Sequence, residues 1–435
     1  MNSDDTIVAP ATPLGRSALA IVRIDGPASG AIIAALAGVL PSPRTATHAA
    51  ISHEGQLLDD CVIARFAAPH SFTGNDLVEI TLHGNPLLVE RVIAACVALG
   101  ARMAEPGEFS ERAVLNGKLD LVQAESIADL INARTALQAR LSLANMTGSL
   151  SCHAAAIREL LLHVISRLEA ALDFSEEGYE FISRADARAA LATALEETRA
   201  LADTYRRGQA SREGLSAVIL GRPNAGKSTL LNRLVGSDRA IVTPIPGTTR
   251  DIVRETIEIG GLPVTLADTA GLRDAADVVE GIGVSRAREA AERADIVLYL
   301  VDSAEGIAAE DEIERYPDAL VVWTKTDLKP APHGALGISV AAERGIDTLL
   351  SRLDVLVREN YAAPEGSLVN ERQRQAVAGC AEALQAALES LDAGADEQLI
   401  LVDLYRASTS LGLLTGAITR DEVFEEIFGK FCIGK

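Results

Sequence analysis

The run Gly221-Arg-Pro-Asn-Ala-Gly-Lys-Ser228 constrains this chain more than any other stretch. It is a complete G-x-x-x-x-G-K-S between an apolar strand-like segment, Leu215 to Leu220, and a helix-like one, Thr229 to Gly236. In that setting the glycines let backbone N–H groups close around phosphates, Lys227 neutralises charge, Ser228 offers a hydroxyl to Mg²⁺, and the helix aims its positive end at the anion. Asn224, Ala225, Gly226, Lys227, Ser228 and Thr229 are therefore expected to line a nucleoside phosphate. The competing reading, a glycine-rich turn that binds nothing, does not explain the flanking strand and helix.

Three further short motifs follow in order. Gly247-Thr248-Thr249-Arg250-Asp251 has the form of a switch loop in which Thr249 senses the γ-phosphate and Mg²⁺. Asp268-Thr269-Ala270-Gly271 follows the strand-like PVTL, placing a carboxylate toward the metal and a backbone N–H toward a γ-phosphate. Thr324-Lys325-Thr326-Asp327 ends ALVVW, where the Asp327 carboxylate can accept from guanine N1 and N2 and the Lys325 stem can lie along the base. Ser339 is placed to close the far side of the base. Each motif alone is weak, but the ordered set resembles the translation-factor-like branch of GTPases. It departs once: the commonest base motif has Asn where Thr324 stands, so the loop-bridging role of that Asn is open.

Hydrolysis needs a group to orient water, and the position after the Asp-x-x-Gly motif is Leu272, which cannot. Glu280, in DAADVVEGIG, is the candidate; the alternative is an ordinary exposed glutamate. Positive charge between the β- and γ-phosphates is also required. Arg250 and Arg273 are nearby, though either can equally form surface ion pairs. Asn224 suggests a monovalent cation instead, held also by backbone oxygens of Thr243 and Ile245 in the turn-rich IVTPIPGTTRD.

The rest of the 435 residues differs in texture. Short β-like runs (IVAPAT, ALAIVRI, LVEITLHG) and one helical stretch (PLLVERVIAACVALG) indicate an α+β domain over 1–117. Helical periodicity dominates 118–213 and returns over 367–435, while 214–366 alternates strands and helices, several strands being uniformly apolar as in a parallel sheet covered on both faces. The expected fold is thus α/β plus α+β plus all-α: three domains, with a P-loop GTPase domain inserted into a discontinuous helical domain and an α+β domain ahead of both.

A net charge of −21 is the wrong sign for coating nucleic acid, and 3% aromatics leave little for stacking platforms. Any nucleic-acid contact is then local or made through a partner. Five scattered cysteines without a Cys-x-x-Cys pair, an acidic MNSDDTIV opening and no apolar run of membrane-spanning length point to a cytoplasmic protein with no membrane span.

With these elements the whole chain resembles the MnmE (TrmE) family of tRNA-modification GTPases. The resemblance is carried by TPLGRSALAIVRI, HSFTGNDLVEITLHGN, PGEFSERAVLNGKLDLVQAESIADLI, GRPNAGKS, GTTRD, DTAGLR and the terminal Cys432-Ile-Gly-Lys435. It implies an N-terminal domain that binds a tetrahydrofolate derivative, in methylene or formyl form, through Arg23, Glu79, Lys118 and Lys435, and that also forms the homodimer. It implies K⁺ among Asn224, Thr243, Ile245 and Thr248, Mg²⁺ at Ser228 and Thr249, and water positioned by Glu280. It further implies an FAD-dependent partner, MnmG (GidA), in a heterotetramer that adds an aminomethyl or carboxymethylaminomethyl group to C5 of the wobble uridine of certain tRNAs.

On the residues themselves, Arg23 in IVRI can be the solvent face of a strand, Lys118 a cap on the preceding loop, and Cys432 either a reactive thiol or a small buried residue. Two other functions compete. A ribosome-assembly or signalling switch like Era or Der leaves the N-terminal domain and the CIGK ending without purpose, and a generic P-loop ATPase leaves Asp327 unexplained.

Overall fold

The computed structural model describes residues 5–174, 181–237, 239–241, 254–267, 288–308, 313–416, 427–429 and 431–434. Two compact units emerge, residues 1–128 with 408–435, and residues 129–407.

The first unit is built on a six-stranded sheet of β1 (Ile7–Pro10), β2 (Leu19–Asp25), β3 (Thr47–His53), β4 (Gln56–Phe66), β5 (Leu77–His83) and β6 (Arg102–Met103), in the order β3-β4-β5-β2-β1-β6. It is antiparallel except where β1 meets β6. Side chains alternate across the pleat. Val22, Ile24, Val78 and Ile80 therefore share one face and one core with residues of α1 (Ser29–Ala37) and α2 (Pro86–Ala98). Arg23 and Glu79, paired directly across β2 and β5, are forced to the opposite face. There a smaller core of Ile7, Ala9, Leu77 and Phe109 includes the first turn of α3 (Glu108–Leu115).

Charge is buried beside that face. Arg112, 5% exposed, bonds the fully buried Asp25 at 3.1 Å and Glu108 at 2.9 Å. Asp25 also accepts from Thr73 Oγ1 and, at 3.0 Å, from Asn75 Nδ2, which pins the FTGND loop. The chain's final residues belong to this unit: Ile433 bridges Pro106, and Phe428 and Phe431 pack with Leu121 and Ala124 of α4 (Leu121–Asn132).

In the second unit α5 (Ala136–Met146), α6 (Ser149–Asp173), α7 (Arg184–Asp203) and α8 (Tyr205–Glu213) precede an α/β module. Its strands are β7 (Leu215–Gly221), β8 (Arg254–Ile259), β9 (Leu262–Ala267), β10 (Ile296–Asp302), β11 (Leu320–Thr324) and β12 (Leu336–Gly337). They are ordered β12-β11-β10-β7-β9-β8, all parallel except β8 against β9. Ala217, Ile219, Leu298 and Leu300 enter a core with α9 (Lys227–Val235) and α10 (Ile346–Tyr361), whereas Val218, Leu220, Tyr299 and Val301 enter a second core with Ala291 and Tyr316. Burial on both faces is why these strands read as continuous apolar runs.

The helical blocks on either side of the module meet. Helix α7, capped by Ser183, packs between α6 and α11 (Glu371–Asp392), itself capped by Asn370. Arg188 reaches Asp392 at 2.8 Å and Arg199 reaches Gln385 at 3.0 Å. The last helix is α12 (Glu397–Thr415). At the junction Ser211 Oγ donates to Tyr361 O at 3.3 Å and accepts from Ala363 N–H at 3.2 Å, so the chain leaves and re-enters the helical part at one point. No helix among the described residues is long and apolar enough to cross a membrane.

Candidate functional site

Strand β7 lies between β9 and β10, where the direction of strand progression reverses, and ligand crevices form at such switch points beyond the carboxyl ends of strands. The phosphate loop begins there. Gly221 has φ 133° and a Cβ would sit 2.4 Å from Leu300 O, so only glycine lets β7 and β10 run this close. Asn224 (φ 64°) and Gly226 (φ 93°) turn the loop into α9. Lys227 Nζ donates to the carbonyls of Gly221 and Arg222 at 2.8 and 2.7 Å, spanning the loop. Asn224, Ser228 and Thr229 are exposed at its mouth, and Ala225 is buried beneath it.

The base motif is joined to that loop. Thr324, at the end of β11 and 5% exposed, donates through Oγ1 to Ala225 O at 2.8 Å and contacts Val301 O at 3.3 Å. The hydroxyl thus makes the loop bridge that the departure from Asn left open. Ser339 Oγ donates to Asp327 Oδ1 at 2.5 Å and accepts from Ala342 N–H, fixing one edge of the carboxylate. Lys325 (φ 55°) pairs with Asp302 at 2.6 Å, and Ser303 Oγ donates to Lys325 O at 3.0 Å. Burial pushes the Asp302 carboxyl up, but Lys325 and the Ala304 N–H outweigh burial and hold it below its ordinary range. Asp302 was not singled out in the sequence; its position at the end of DIVLYLVD, one strand from the base motif, is the signal that marks it.

The structure thus brings together Asn224, Ala225, Gly226, Lys227, Ser228 and Thr229 with Thr324, Lys325, Asp327 and Ser339. Thr243, Ile245, Thr248, Thr249, Asp268, Thr269, Ala270, Gly271, Glu280 and Lys435 lie outside the described residues, as do Arg250, Leu272 and Arg273. Among the described residues no group of three or more His, Cys, Asp or Glu could hold a metal ion. A hard cation at this loop would instead take oxygens of the Asn224 and Ser228 type.

A second group forms on the N-terminal sheet. Arg23 Nε and Nη2 donate to Glu79 Oε1 at 3.1 and 2.6 Å, with the two side chains 18% and 26% exposed. Its guanidinium lies 5.5 Å from the Phe109 ring and 5.7 Å from the Phe72 ring, aromatic neighbours that the sequence reading missed. Arg23 is therefore a paired, packed group and not a freely solvated strand face. Lys118 is exposed and donates to Pro69 O at 3.0 Å, bracing the loop that carries Phe72. Cys432 is exposed, which excludes the small-buried-residue reading.

A phosphate loop at the switch point, bridged to a Thr-Lys-x-Asp motif on an adjoining strand end, defines a P-loop protein of the GTPase class. The family described as "GTP-binding protein TrmE N-terminus" matches residues 6–118, and that described as "MnmE helical domain" matches 121–432. Proteins named tRNA modification GTPase MnmE align over the full length. The one from Koribacter versatilis is 40% identical over 457 residues, covering 100% of both chains, and that from Thiobacillus denitrificans is 41% identical over 444 residues, covering 99% of this chain and 98% of its own. Among solved structures, the G domain of the T. maritima FeoB iron transporter matches 33% of this chain and 97% of its own at 20% identity, with a TM-score of 0.22. The chain belongs to the MnmE (TrmE) family.

Proposed function

We propose that this chain is a potassium-dependent GTPase that, with an FAD-containing partner and a tetrahydrofolate one-carbon unit, adds an aminomethyl or carboxymethylaminomethyl group to C5 of the wobble uridine of certain tRNAs. The observation that carries the GTPase part is the Thr324 bridge from the base motif to the phosphate loop, with Asp327 aligned by Ser339. The tRNA part is supported by full-length relatives that bear the name tRNA modification GTPase.

In this reading the loop N–H groups and Lys227 hold the phosphates, and Asp327 accepts from the guanine edge. Ser228 and Thr249 hold Mg²⁺, while Asn224, Thr243, Ile245 and Thr248 hold K⁺. These ions would supply positive charge against the β- and γ-phosphates. Glu280 orients the water. Arg23 and Glu79 remain partly reachable from solvent, which suits a pterin whose N–H groups Glu79 accepts, and Lys118 and Lys435 suit an anionic glutamate tail. Homodimerisation through the N-terminal domain completes the reading.

The test is steady-state GTP hydrolysis in KCl against NaCl at equal ionic strength, with Asn224→Ala and Glu280→Ala alongside. Potassium stimulation lost in Asn224→Ala, and Glu280→Ala that binds GTP but turns over about 100-fold more slowly, are expected. Equal rates in both salts would return Arg250 or Arg273 as the source of charge.

A further inference from the structure

A cavity of about 440 Å³ lies between α6 and α7, where the chain returns from the α/β module. Ala156 and Ala200 line its two helical walls, and side chains this short leave the space between the helices unfilled. Ile157 and Leu201, 1% and 6% exposed, give it an apolar floor. The third wall is the returning segment. Gly366 there has φ 78°, and a Cβ would fall 2.7 Å from His153 Cε1, so only glycine lets the backbone meet the imidazole ring.

Two carboxylates stand above that floor with capacity to spare. Glu197 makes no hydrogen bond or ion pair among the described residues. Glu365 has only Arg140, at 3.8 Å, both side chains being more than half exposed, so water screens the contact. Thr204, by contrast, is spent: its hydroxyl donates to Leu201 O at 2.7 Å and accepts from the Leu368 N–H at 3.1 Å. His153, Glu197 and Glu365 do not converge closely enough to hold a metal ion. A point cation therefore fits poorly. Carboxylates set apart across an apolar floor match an elongated cation, in which ammonium groups are joined by methylenes.

We propose that this cavity binds an aliphatic polyamine. One ammonium sits on Glu197 and another on Glu365, and the methylene stem between them covers Ile157 and Leu201. So placed, the ligand touches α6, α7 and the returning segment at once and ties the helical part together where the module's chain re-enters it.

Calorimetric titration of the full chain, freed of nucleic acid, with spermidine at physiological ionic strength tests the site. One saturable site is expected. Butylamine, which offers a single ammonium, should bind about tenfold more weakly, and Glu197→Gln should weaken spermidine by about the same factor. Glu159→Gln removes an exposed carboxylate of the same helix outside the cavity and should leave the affinity unchanged. Ala200→Leu fills the cavity and should abolish binding, with circular dichroism to show that the variant is folded; if it is not, Glu197→Gln decides.

Heat that does not saturate, or equal affinity in Glu197→Gln and Glu159→Gln, would be general attraction to a chain of net charge −21 and would overturn the site. Parental affinity in folded Ala200→Leu would overturn it too, by placing the ligand elsewhere.

Discussion

Thr324 Oγ1 lies 2.8 Å from the carbonyl oxygen of Ala225, so one buried hydroxyl ties the end of β11, where the Thr-Lys-x-Asp motif begins, to the glycine-rich loop that precedes α9. Replacing it with an isosteric apolar residue removes the donor while leaving the Ala225 carbonyl buried. Thr324→Val is expected to cost about 1–2 kcal/mol of stability and to weaken GDP binding about tenfold, with Thr324→Ser restoring both. Fluorescent-GDP titration checks this; unchanged affinity in Thr324→Val would mean that the bridge does not align the site.

Asp327 has one carboxylate oxygen fixed by Ser339 at 2.5 Å. An amide in its place turns a donor toward the guanine N1 and N2 protons and forfeits two charge-assisted hydrogen bonds of roughly 1.5–3 kcal/mol each. Asp327→Asn should therefore bind GTP about 100-fold or more weakly and gain affinity for xanthosine triphosphate, whose C2 carbonyl accepts what guanine donates. Competition binding with the two nucleotides decides; retained GTP preference would exclude base reading by Asp327.

The Asp302–Lys325 pair gives the nucleotide module an acid dependence. Because the folded-state pKa of Asp302 is held below its ordinary value, the stabilisation is complete above about pH 4 to 5 and disappears as pH falls through the lower folded-state value. Lys325 is 37% exposed, so solvent screening keeps the contribution to about 1 kcal/mol. Trp323, the chain's single tryptophan, sits on the adjoining strand and reports unfolding of this module. Urea midpoints between pH 3 and 6 should slope less for Asp302→Asn than for the parent.

Gly208, inside α8, would place a Cβ 1.9 Å from Leu368 O, so the helix and the returning chain touch backbone to backbone. Gly208→Ala should lower stability by roughly 1–3 kcal/mol despite alanine's better helix propensity. A thermal melt of the full chain checks the sign; a raised melting temperature would show that the contact relaxes at little cost.

What could be read from the chain followed its periodicities. Strands β7, β10 and β11 announced themselves as apolar runs, and the phosphate loop lay between recognisable elements. The hairpin of β3 and β4 did not, because THAAISH and QLLDDCVIARF carry His48, Asp59 and Asp60 among few fully buried residues, and such mixed runs resemble loops. Helix α1 was hidden in the run Ala31 to Leu40, where apolar residues fill nearly every position and no period shows. Arg23 and Glu79 were each visible as candidates, but their ion pair depends on the register of β2 against β5 and joins residues far apart in sequence. The Thr324 bridge is likewise a tertiary fact: nothing local to TKTD places Ala225 beneath it.

Ser211, which holds both Tyr361 and Ala363, makes the α/β module a closed cassette. Its two ends span almost no distance, so the helical part experiences everything between them as a single surface loop, whose entropic cost grows only slowly with length. A chain in which that interval is replaced by a few glycines and serines should keep the α7–α11 contact, because one serine hydroxyl already holds the two ends of the interval together.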